Sequence, residues 1–335
     1  MATFLAFGEV MLRLSPPGRE LLFQTPKLDV WVAGAEANVV TQLARLGHDV
    51  SMATTVPDND LGRLAIATLR GHGVDTGRIV SGGDRMGLYF VTPGAGMRAT
   101  EVIYDRAFSS FAQAPAAVWD WDALLDGVDR LHLSGITPAL GPVPAESALA
   151  AAEAASTRGI PVSFDGNWRG KLWERWESNP RAILTQLVEH ADLMFGNHRD
   201  IALLLDRGFS ADAEDRRREA ADAAFEAFPR LQTIASTARH VELVDLHRLS
   251  ARIDTRDGQV QTNEIVVAGI IDRIGGGDAF AAGVLHGLRM GADLADVARI
   301  GLALAVLKHS LPGDASLFRQ ADIDAYLEGG LDVRR

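Results

Sequence analysis

Short apolar segments alternate with amphipathic segments along most of the chain. Predicted strands occupy residues 3–7, 50–54, 130–134, 161–164, 193–195 and 233–235. Predicted helices occupy residues 37–46, 62–71, 146–155, 182–189, 200–206 and 215–228. Continuous apolar strands separated by amphipathic helices are typical of a parallel sheet with helices on both faces. We therefore expect a doubly wound α/β fold, with ligands bound at the carboxyl ends of the strands.

Two regions depart from this rhythm. Residues 10–32 and 87–104 contain segments in which apolar and polar positions alternate, with Pro and Gly between them. Such alternation indicates antiparallel strands with one exposed face. We expect both regions to form one small β-sheet beside the main sheet, which acts as a lid over the site. Its apolar face and free edges favour pairing with a second copy of the chain, so we expect a homo-oligomer.

Neither a long linker nor an internal repeat divides the sequence. We therefore expect a single α/β domain over residues 1–330. The lid is expected to come from about residues 10–33 and 86–107, and residues 331–335 are expected to form a frayed tail.

Composition and charge exclude several classes of protein. The 335 residues are 47% hydrophobic and 23% charged, which is a globular composition. The chain has no Cys, so thiol nucleophiles, disulfides and Cys-ligated metals are excluded. The formal net charge of −11 argues against nucleic acid or an anionic membrane as a partner. No apolar run is long enough to span a membrane, and the N-terminus lacks a basic signal-peptide region, so a cytoplasmic location is expected.

The most informative motif is Gly275-Gly276-Gly277-Asp278, which precedes an apolar helix rich in small residues. Backbone N–H groups without neighbouring Cβ atoms can converge on an anion at a helix N-terminus, where the helix dipole also favours negative charge. A carboxylate beside such an anion hole suits proton removal from a hydroxyl that receives a phosphoryl group. The alternative is a Gly-rich turn that is capped by Asp.

Other candidate residues follow predicted strands or open predicted helices. Gly34 permits close approach of a ligand, and Asn38 can bond hydroxyl groups, although the same pattern occurs at ordinary strand-to-helix junctions. Asn167 and Arg169 follow a buried strand, and the planar guanidinium of Arg169 suits a carboxylate or phosphate; a structural salt bridge is the alternative. Asp200 follows Asn197 by three residues, so together they suit either a hydrated Mg²⁺ or a helix cap.

Three residues of the predicted lid are further candidates. Tyr89, Tyr104 and Arg106 can face a ligand together if their strands pair, because residues two apart in a strand share a face. The alternative is two packed Tyr side chains and a solvated Arg. The sequence contains neither a GxxxxGK[ST] phosphate-binding loop nor a G-x-S-x-G nucleophile elbow.

Together these segments resemble the ribokinase-like (PfkB) family of carbohydrate kinases. The resemblance rests on Gly8-Glu9, on Gly34-Ala35-Glu36-Ala37-Asn38 and on Gly275-Gly276-Gly277-Asp278, and it extends over nearly the whole chain. It implies a ribokinase-like, mostly parallel sheet with helices on both faces and a β-lid. It also implies that ATP is the phosphoryl donor and that Mg²⁺ assists.

Within that family the chain is most similar to 2-keto-3-deoxygluconate kinases, through residues 133–140, Asp165-x-Asn167-x-Arg169 and Tyr104-x-Arg106. The resemblance implies that Asp278 is the base and that Gly275, Gly276 and Gly277 form the anion hole. It implies a sugar-acid site made of Gly34, Asn38, Tyr89, Tyr104, Arg106, Asn167, Arg169 and Asp278. It implies nucleotide contacts from Asn197, Ser236, Thr237, Arg239, Gly275, Gly277 and Lys308, with Asp200 holding Mg²⁺ through water.

Three segments depart from the family pattern. Residues 236–241 lack both glycines of the nucleotide loop that most relatives carry, and Arg273 stands where a small or β-branched residue is usual. His198 and Arg199 replace acidic residues of the usual N-E-x-E stretch, although Asn197 and Asp200 remain. The leading hypothesis is therefore an ATP-dependent kinase of a keto-deoxy sugar acid with an altered nucleotide site. One alternative is a fructokinase or a kinase of another sugar or nucleoside. A second is a sugar-binding protein without catalytic activity on a kinase scaffold.

Overall fold

The computed structural model describes residues 3–210 and 214–329, so the tail expected at residues 331–335 lies outside the described part. The strands are β1 Thr3–Phe7, β2 Met11–Ser15, β3 Asp29–Ala33, β4 Asp49–Val56, β5 Ile79–Ser81, β6 Gly87–Thr92, β7 Glu101–Asp105, β8 Val128–Ser134, β9 Val162–Asp165, β10 Leu193–Phe195, β11 Thr233–Leu243, β12 Leu246–Thr255, β13 Gly258–Gln261 and β14 Ile265–Ala268. The helices are α1 Ala35–Arg45, α2 Asp60–Gly71, α3 Trp121–Leu124, α4 Pro142–Thr157, α5 Gly170–Trp173, α6 Pro180–Glu189, α7 His198–Leu205, α8 Glu214–Ala227, α9 Gly276–Arg289, α10 Leu294–Lys308 and α11 Gln320–Leu327. Short 3₁₀ turns lie at Ala116–Val118 and Pro138–Leu140.

The main sheet has the strand order β13-β12-β11-β10-β9-β8-β1-β4-β5, with β14 also paired to β12. Strands β5, β4, β1, β8, β9, β10 and β11 run parallel to their neighbours. The remaining strands form an antiparallel extension on β11. The mostly parallel sheet that the sequence predicts is therefore confirmed.

Successive residues of a buried strand point to opposite sides of the sheet, so an apolar strand places side chains on both faces. Helices cover both faces and bury these side chains. In β1, Leu5 and Phe7 pack into one buried apolar cluster, whereas Phe4 and Ala6 pack into the other. Residues in the described part of the chain include no helix that is both long and apolar enough to cross a membrane.

The prediction that a strand ends at residue 235 is wrong in its C-terminal bound. Strand β11 continues without a break to Leu243, and residues 236–241 pair in antiparallel register with residues 247–252 of β12. This segment contains β-branched residues and no Gly or Pro, so nothing in it interrupts an extended backbone. The segment in which the resemblance implies a nucleotide loop is therefore an extended strand in this chain.

The second sheet has the order β3-β2-β6-β7 and is separate from the main sheet. It is formed by the two regions that the alternating pattern identifies. The pairs β2–β3 and β6–β7 are antiparallel as predicted, but β2 and β6 are parallel. The prediction of purely antiparallel pairing is therefore wrong at this junction, because both regions enter the small sheet in the same direction. We call this sheet, β3-β2-β6-β7, the lid sheet.

Candidate active site

The turn before α9 is shaped by Gly275. This residue has φ of 81°, in the left-handed region, and a Cβ atom built on it would lie 1.8 Å from the carbonyl oxygen of Asp314. A side chain at this position is thus excluded both by backbone conformation and by space. In the described part of the chain, the amides of Gly277 and Asp278 have no hydrogen-bond acceptor, as expected in the first turn of a helix. The turn therefore presents free N–H groups at the positive end of a 14-residue helix.

Asp278 lies in the first turn of α9 and contacts Asn38 of α1. The Asn38 side chain is buried, and its Nδ2 donates a hydrogen bond of 2.7 Å to Oδ2 of Asp278. Burial raises the pKa of Asp278 to about 6; the Asn38 hydrogen bond and the positive charge of Arg169 oppose that rise. Asp278 is therefore a carboxylate with a fixed orientation and a pKa close to neutrality, as a general base requires.

Two further carboxylates lie at the carboxyl ends of β9 and β10. Burial, together with the negative charges of Asp278 and Asp200, raises the pKa of Asp165 to about 7. Asp200 forms a capping box with Asn197, in which Oδ2 of Asp200 accepts from the Asn197 amide at 2.8 Å. The helix-cap interpretation of Asn197 and Asp200 is therefore confirmed. Among the described residues, no group of three or more His, Asp or Glu side chains is arranged to hold a metal ion directly.

Two residues predicted to bind the sugar, Asn167 and Arg169, lie in the loop that follows β9 and Asp165. Asn167 has a positive φ of 38°, and its Nδ2 donates to Oγ of Ser134 at 2.9 Å. Arg169 is exposed, and its Nη1 donates to the carbonyl of Trp168. Because Arg169 lowers the pKa of Asp165 and Asp278, its guanidinium lies close enough to act on both.

The lid sheet supplies the next group of candidates. Tyr89 and Tyr104 are cross-strand partners in β6 and β7, with ring centroids 5.9 Å apart. Arg106 is buried beside them, with its guanidinium 5.8 Å from the Tyr104 ring centroid, and its Nε donates to Oε2 of Glu9 at 2.7 Å. The Nη1 group of Arg106 is buried without a hydrogen-bond partner among the described residues. A guanidinium with one unsatisfied nitrogen indicates a polar group of a ligand.

Sequence reasoning missed two buried carboxylates in this region, although both belong to segments on which the resemblance rests. Glu9 binds Arg106 and also accepts from the hydroxyl of Ser109. Glu36 accepts from the Thr137 hydroxyl at 2.8 Å. Burial raises the pKa of Glu36 to about 8, whereas hydrogen bonds from its own backbone amide and from Thr137 oppose the rise.

A buried polar cluster that was not predicted joins the lid sheet to the turn before α9. Arg13 of β2 lies between two carboxylates, with Nη1 at 2.6 Å from Oδ2 of Asp272 and 2.9 Å from Oδ1 of Asp314. Tyr89 donates its hydroxyl proton to Oδ2 of Asp314. Since the carbonyl of Asp314 also abuts Gly275, the lid and the turn are held by the same loop.

A cleft of about 630 Å³ opens on the other side of the α9 N-terminus. Five residues predicted to contact the nucleotide line this cleft. Asn197 follows β10, the residues Ser236, Thr237 and Arg239 belong to β11, and Gly277 belongs to the glycine turn. A Cβ atom built on Gly277 would have no neighbour within 4 Å, so the helix start faces open space.

Not every predicted nucleotide residue lines this cleft. Gly275 lies behind the turn against Asp314, and Lys308 is fully buried at the end of α10. The ammonium group of Lys308 donates to the carbonyl of Leu311 at 3.1 Å. Its role in nucleotide binding therefore stays a prediction, and any such role is indirect, through the loop that follows α10.

Comparison with known proteins gives a consistent result. The family model described as pfkB family carbohydrate kinase matches residues 1–320. The chain is 31% identical over 330 residues to a 2-dehydro-3-deoxygalactonokinase of Haloferax volcanii, covering 98% of each sequence. It is 26% identical over 309 residues to a 2-dehydro-3-deoxygluconokinase of Bacillus subtilis, covering 92% of this chain and 90% of the relative.

Solved structures agree with these relatives. The crystal structure of 2-dehydro-3-deoxygluconokinase from Thermotoga maritima superposes with a TM-score of 0.93 at 34% identity, and the match covers 98% of this chain and 100% of that one. This likeness confirms the ribokinase-like fold, the main sheet and the separate small sheet. By its sequence, its fold and the geometry around Asp278, the chain belongs to the PfkB family of carbohydrate kinases.

Proposed function

We propose that this kinase transfers the γ-phosphoryl group of ATP to a terminal hydroxyl of a 2-keto-3-deoxy sugar acid. The observation that carries this proposal is the position of Asp278 between the predicted sugar-side residues and the cleft beside the first turn of α9. On one side it is bonded to Asn38 and lies near Arg169. On the other side the first turn of α9 opens into the cleft that Ser236 and Arg239 line. An acceptor hydroxyl and a phosphoryl donor would meet at this position.

In the proposed reaction, Asp278 removes the proton from the attacking hydroxyl as the bond from its oxygen to phosphorus forms. The bond between phosphorus and the leaving oxygen of ADP breaks in the same step, and the free amides of Gly277 and Asp278 stabilise the charge on the moving phosphoryl group. Catalysis by such a site consists mainly of positioning and electrostatic stabilisation. Gly275 contributes by giving the turn a shape that no other residue allows.

The substrate class follows from charge on the sugar side. Arg169 is exposed near Asp278, and the Nη1 group of Arg106 is buried without a partner in the described structure. A carboxylate on the sugar would satisfy such groups better than a neutral hexose, because a charged acceptor strengthens the hydrogen bond. The relatives named above act on keto-deoxy acids derived from galactonate and from gluconate, so we propose that class and include both epimers in the test.

Mg²⁺ fits this site as an ion held through water. Oδ2 of Asp200 is already bonded to the Asn197 amide, and Asp165 and Asp200 each raise the local negative charge at the ends of β9 and β10. Mg²⁺ prefers oxygen ligands and keeps several waters, so these two carboxylates would hold its hydration shell. The ion would neutralise charge on the phosphates of ATP.

We expect a cytoplasmic location because ATP is the proposed donor.

We also propose that the kinase forms a homo-oligomer through the lid sheet. The edge strands β3 and β7 expose Val30, Val102 and Ile103. Apolar side chains on free sheet edges favour pairing with a second copy. Sedimentation velocity of the wild type and of Ile103→Lys tests this: a monomeric wild type would contradict the proposal, and dissociation by the variant would support it.

A coupled ADP-release assay with Mg-ATP tests the reaction itself. The acceptors are both keto-deoxy epimers, fructose, ribose and a nucleoside, and Asp278→Asn is assayed beside the wild type. We expect saturable turnover with at least one keto-deoxy acid and a loss on the order of 10² to 10⁴ in the variant. Turnover with fructose or ribose alone would overturn the substrate class. No turnover with any acceptor would favour a sugar-binding protein instead.

A further inference from the structure

Two arginines in the cleft lack acidic partners. Arg239, on β11, and Arg273, before the glycine turn, both line the cleft and are exposed in it. Across residues 3–210 and 214–329, neither forms a hydrogen bond or an ion pair, whereas Arg252 in the same cleft binds Asp254 through two nitrogens at 2.7 Å. The two side chains line the same cleft, and burial, followed by the positive charge of Arg273, lowers the pKa of Arg239.

Two histidines lie close to these arginines, and burial lowers the pKa of each below its ordinary value, so both are neutral. His309 lies at the base of the cleft, 5% exposed, with the Cε1 atom of its ring 3.2 Å from a Cβ built on Gly276. Its Nδ1 donates to the carbonyl of Ala305 at 2.6 Å, and its buried Nε2 has no partner in the described structure. His247 is also buried, with its ring centroid 6.1 Å from that of His309. A buried ring nitrogen without a partner beside free helix amides indicates a polar ligand group.

Unpaired like charges side by side are unfavourable unless an anion lies between them. The cleft thus combines two free guanidinium groups, the amides of the α9 N-terminus and an unpartnered His nitrogen. The guanidinium groups and the amides suit a polyanion with several phosphates, since Arg binds phosphate oxygens in a bidentate manner. The unprotonated Nε2 of His309 is an acceptor, so it suits a hydroxyl or N–H group of the ligand. Arg239 lies within the extended strand β11, where its backbone pairs with Leu249 of β12.

We propose that Arg239 and Arg273 form a clamp for the β- and γ-phosphates of the nucleotide, with the free Gly277 and Asp278 amides beneath it. This inference rests on the proposed function in that the donor is taken to be a nucleoside triphosphate. It adds Arg273 to the nucleotide site. It also implies that phosphate charge, more than the base, determines affinity: ADP binds well and adenosine binds weakly.

The test compares Arg239→Gln and Arg273→Gln with Arg248→Gln. Arg248 is the matched control because it lies on the adjacent strand β12 and its guanidinium pairs with Glu242 and Glu264. The readouts are the KM for ATP, the KM for the sugar, and calorimetric binding of ADP and adenosine. We expect each cleft variant to raise the KM for ATP and the Kd for ADP about 10- to 100-fold, the range for a lost hydrogen bond to a charged group. The KM for the sugar and the Kd for adenosine should stay within about twofold, and the control should match the wild type.

Two results from the variants would overturn the proposed arginine clamp. One is a cleft variant with a wild-type KM for ATP and a wild-type Kd for ADP. The other is an equal loss of adenosine and ADP affinity, which would assign the arginines to packing of the base. A wild-type protein that binds ADP but phosphorylates none of the sugars would contradict the proposed function alone, because the calorimetric comparison still tests the clamp. A wild-type protein that fails to bind ADP would overturn both.

Discussion

The side-chain amide of Asn38 donates a hydrogen bond of 2.7 Å to Oδ2 of Asp278, and this bond joins two helices that are 240 residues apart in sequence. Helices α1 and α9 pack against each other, so the bond is fixed by tertiary structure rather than by a loop. It opposes the effect of burial on the Asp278 carboxylate. Asn38 therefore affects both where the carboxylate points and the pH at which it becomes a base.

The pH dependence of turnover should report this carboxylate. Burial raises the pKa of Asp278 to about 6, so the carboxyl group is protonated below that pH and cannot accept a proton. We expect kcat/KM to rise with pH and to level off above about pH 6 to 7. The measurement is a pH–rate profile with saturating Mg-ATP and varied sugar. A profile that stays flat down to pH 5 would contradict the assignment of Asp278 as the base.

Asn38→Leu should shift that profile in a defined direction. Loss of the hydrogen bond removes an interaction that favours the ionised carboxylate, so the acidic limb should move upward by about 1 to 2 pH units. Turnover should recover toward the wild-type value at pH 8 to 9. The matched control is Gln42→Met, which is buried on the same helix but bonds the carbonyl of Phe318 instead. If both variants leave the limb in place, Asn38 does not tune the base.

Two glycines of the turn should respond differently to Ala. Gly277→Ala should fold normally and gain up to about 1 kcal/mol in unfolding free energy, because the added Cβ meets no atom within 4 Å and the unfolded chain loses entropy. The same Cβ would enter the space in front of the free amides, so the KM for ATP should rise. Gly275→Ala, by contrast, should lower the melting temperature, since its Cβ would overlap the Asp314 carbonyl. Melting curves and steady-state kinetics of both variants provide the measurement; equal melting temperatures would contradict this account.

Arg13→Met should destabilise the kinase strongly. Arg13 is 2% exposed and lies between Asp272 and Asp314, so its removal leaves two carboxylates without their cation. Breaking a buried ion pair by removing one partner costs roughly 3–5 kcal/mol. Without Arg13, the pKa of Asp314 should rise further above its unfolded value, so the loss of unfolding free energy should shrink as the pH falls and Asp314 takes up a proton.

Urea unfolding of Arg13→Met at pH 5.5 and pH 8 measures both effects. Arg63→Met is the control, because Arg63 is exposed and pairs with Asp58 and Asp60 at the surface. Exposed pairs contribute little, so this control should unfold like the wild type. A deficit for Arg13→Met that is the same at both pH values would show that lost packing, rather than unpaired charge, is the cause.

Glu36→Gln should reduce the loss of unfolding free energy that the wild type shows as the pH rises from about 4.5 to 8. Burial raises the pKa of Glu36 to about 8 in the folded state, above the ordinary value of 4.5 expected when the chain unfolds. A group whose folded pKa is raised binds its proton more tightly in the folded protein, so stability falls as pH rises from about 4.5 to 8. The neutral Gln does not titrate, so it makes no such pH-dependent contribution. The wild type should therefore lose roughly 3–5 kcal/mol more unfolding free energy than the variant across that range. The control is Glu153→Gln on an exposed position of α4, and parallel stability curves for all three proteins would refute the prediction.

Much of the sheet could be predicted because fully buried parallel strands are continuous apolar runs. Residues 3–7 and 193–195 are predicted at the bounds that β1 and β10 have. The extension of β11 could not be predicted in the same way. Its residues after position 235 include polar Ser236, Thr237 and Arg239, and their extended conformation depends on pairing with β12. Pairing between strands is a long-range property that local pattern does not reveal.

The same distinction applies to the site. Asn38 and Asp278 could each be identified from a local motif, but their contact depends on how α1 and α9 pack. Asp314 follows an ordinary polar turn and carries no pattern of its own, yet it holds Arg13 and Tyr89. Residues that act through buried charge are recognised only when the partner that reaches them is known.

The parallel pairing of β2 with β6 bears on the order in which the molecule assembles. These two strands are separated in the chain by β3, α1, β4, α2 and β5, so the lid sheet requires a long loop to close before its central pair can form. During synthesis, β2 and β3 emerge early and wait for β6 while their apolar side chains stay uncovered. We therefore expect the lid sheet to be the last part of the kinase to gain protection from amide hydrogen exchange during refolding, and bound sugar to hasten that step.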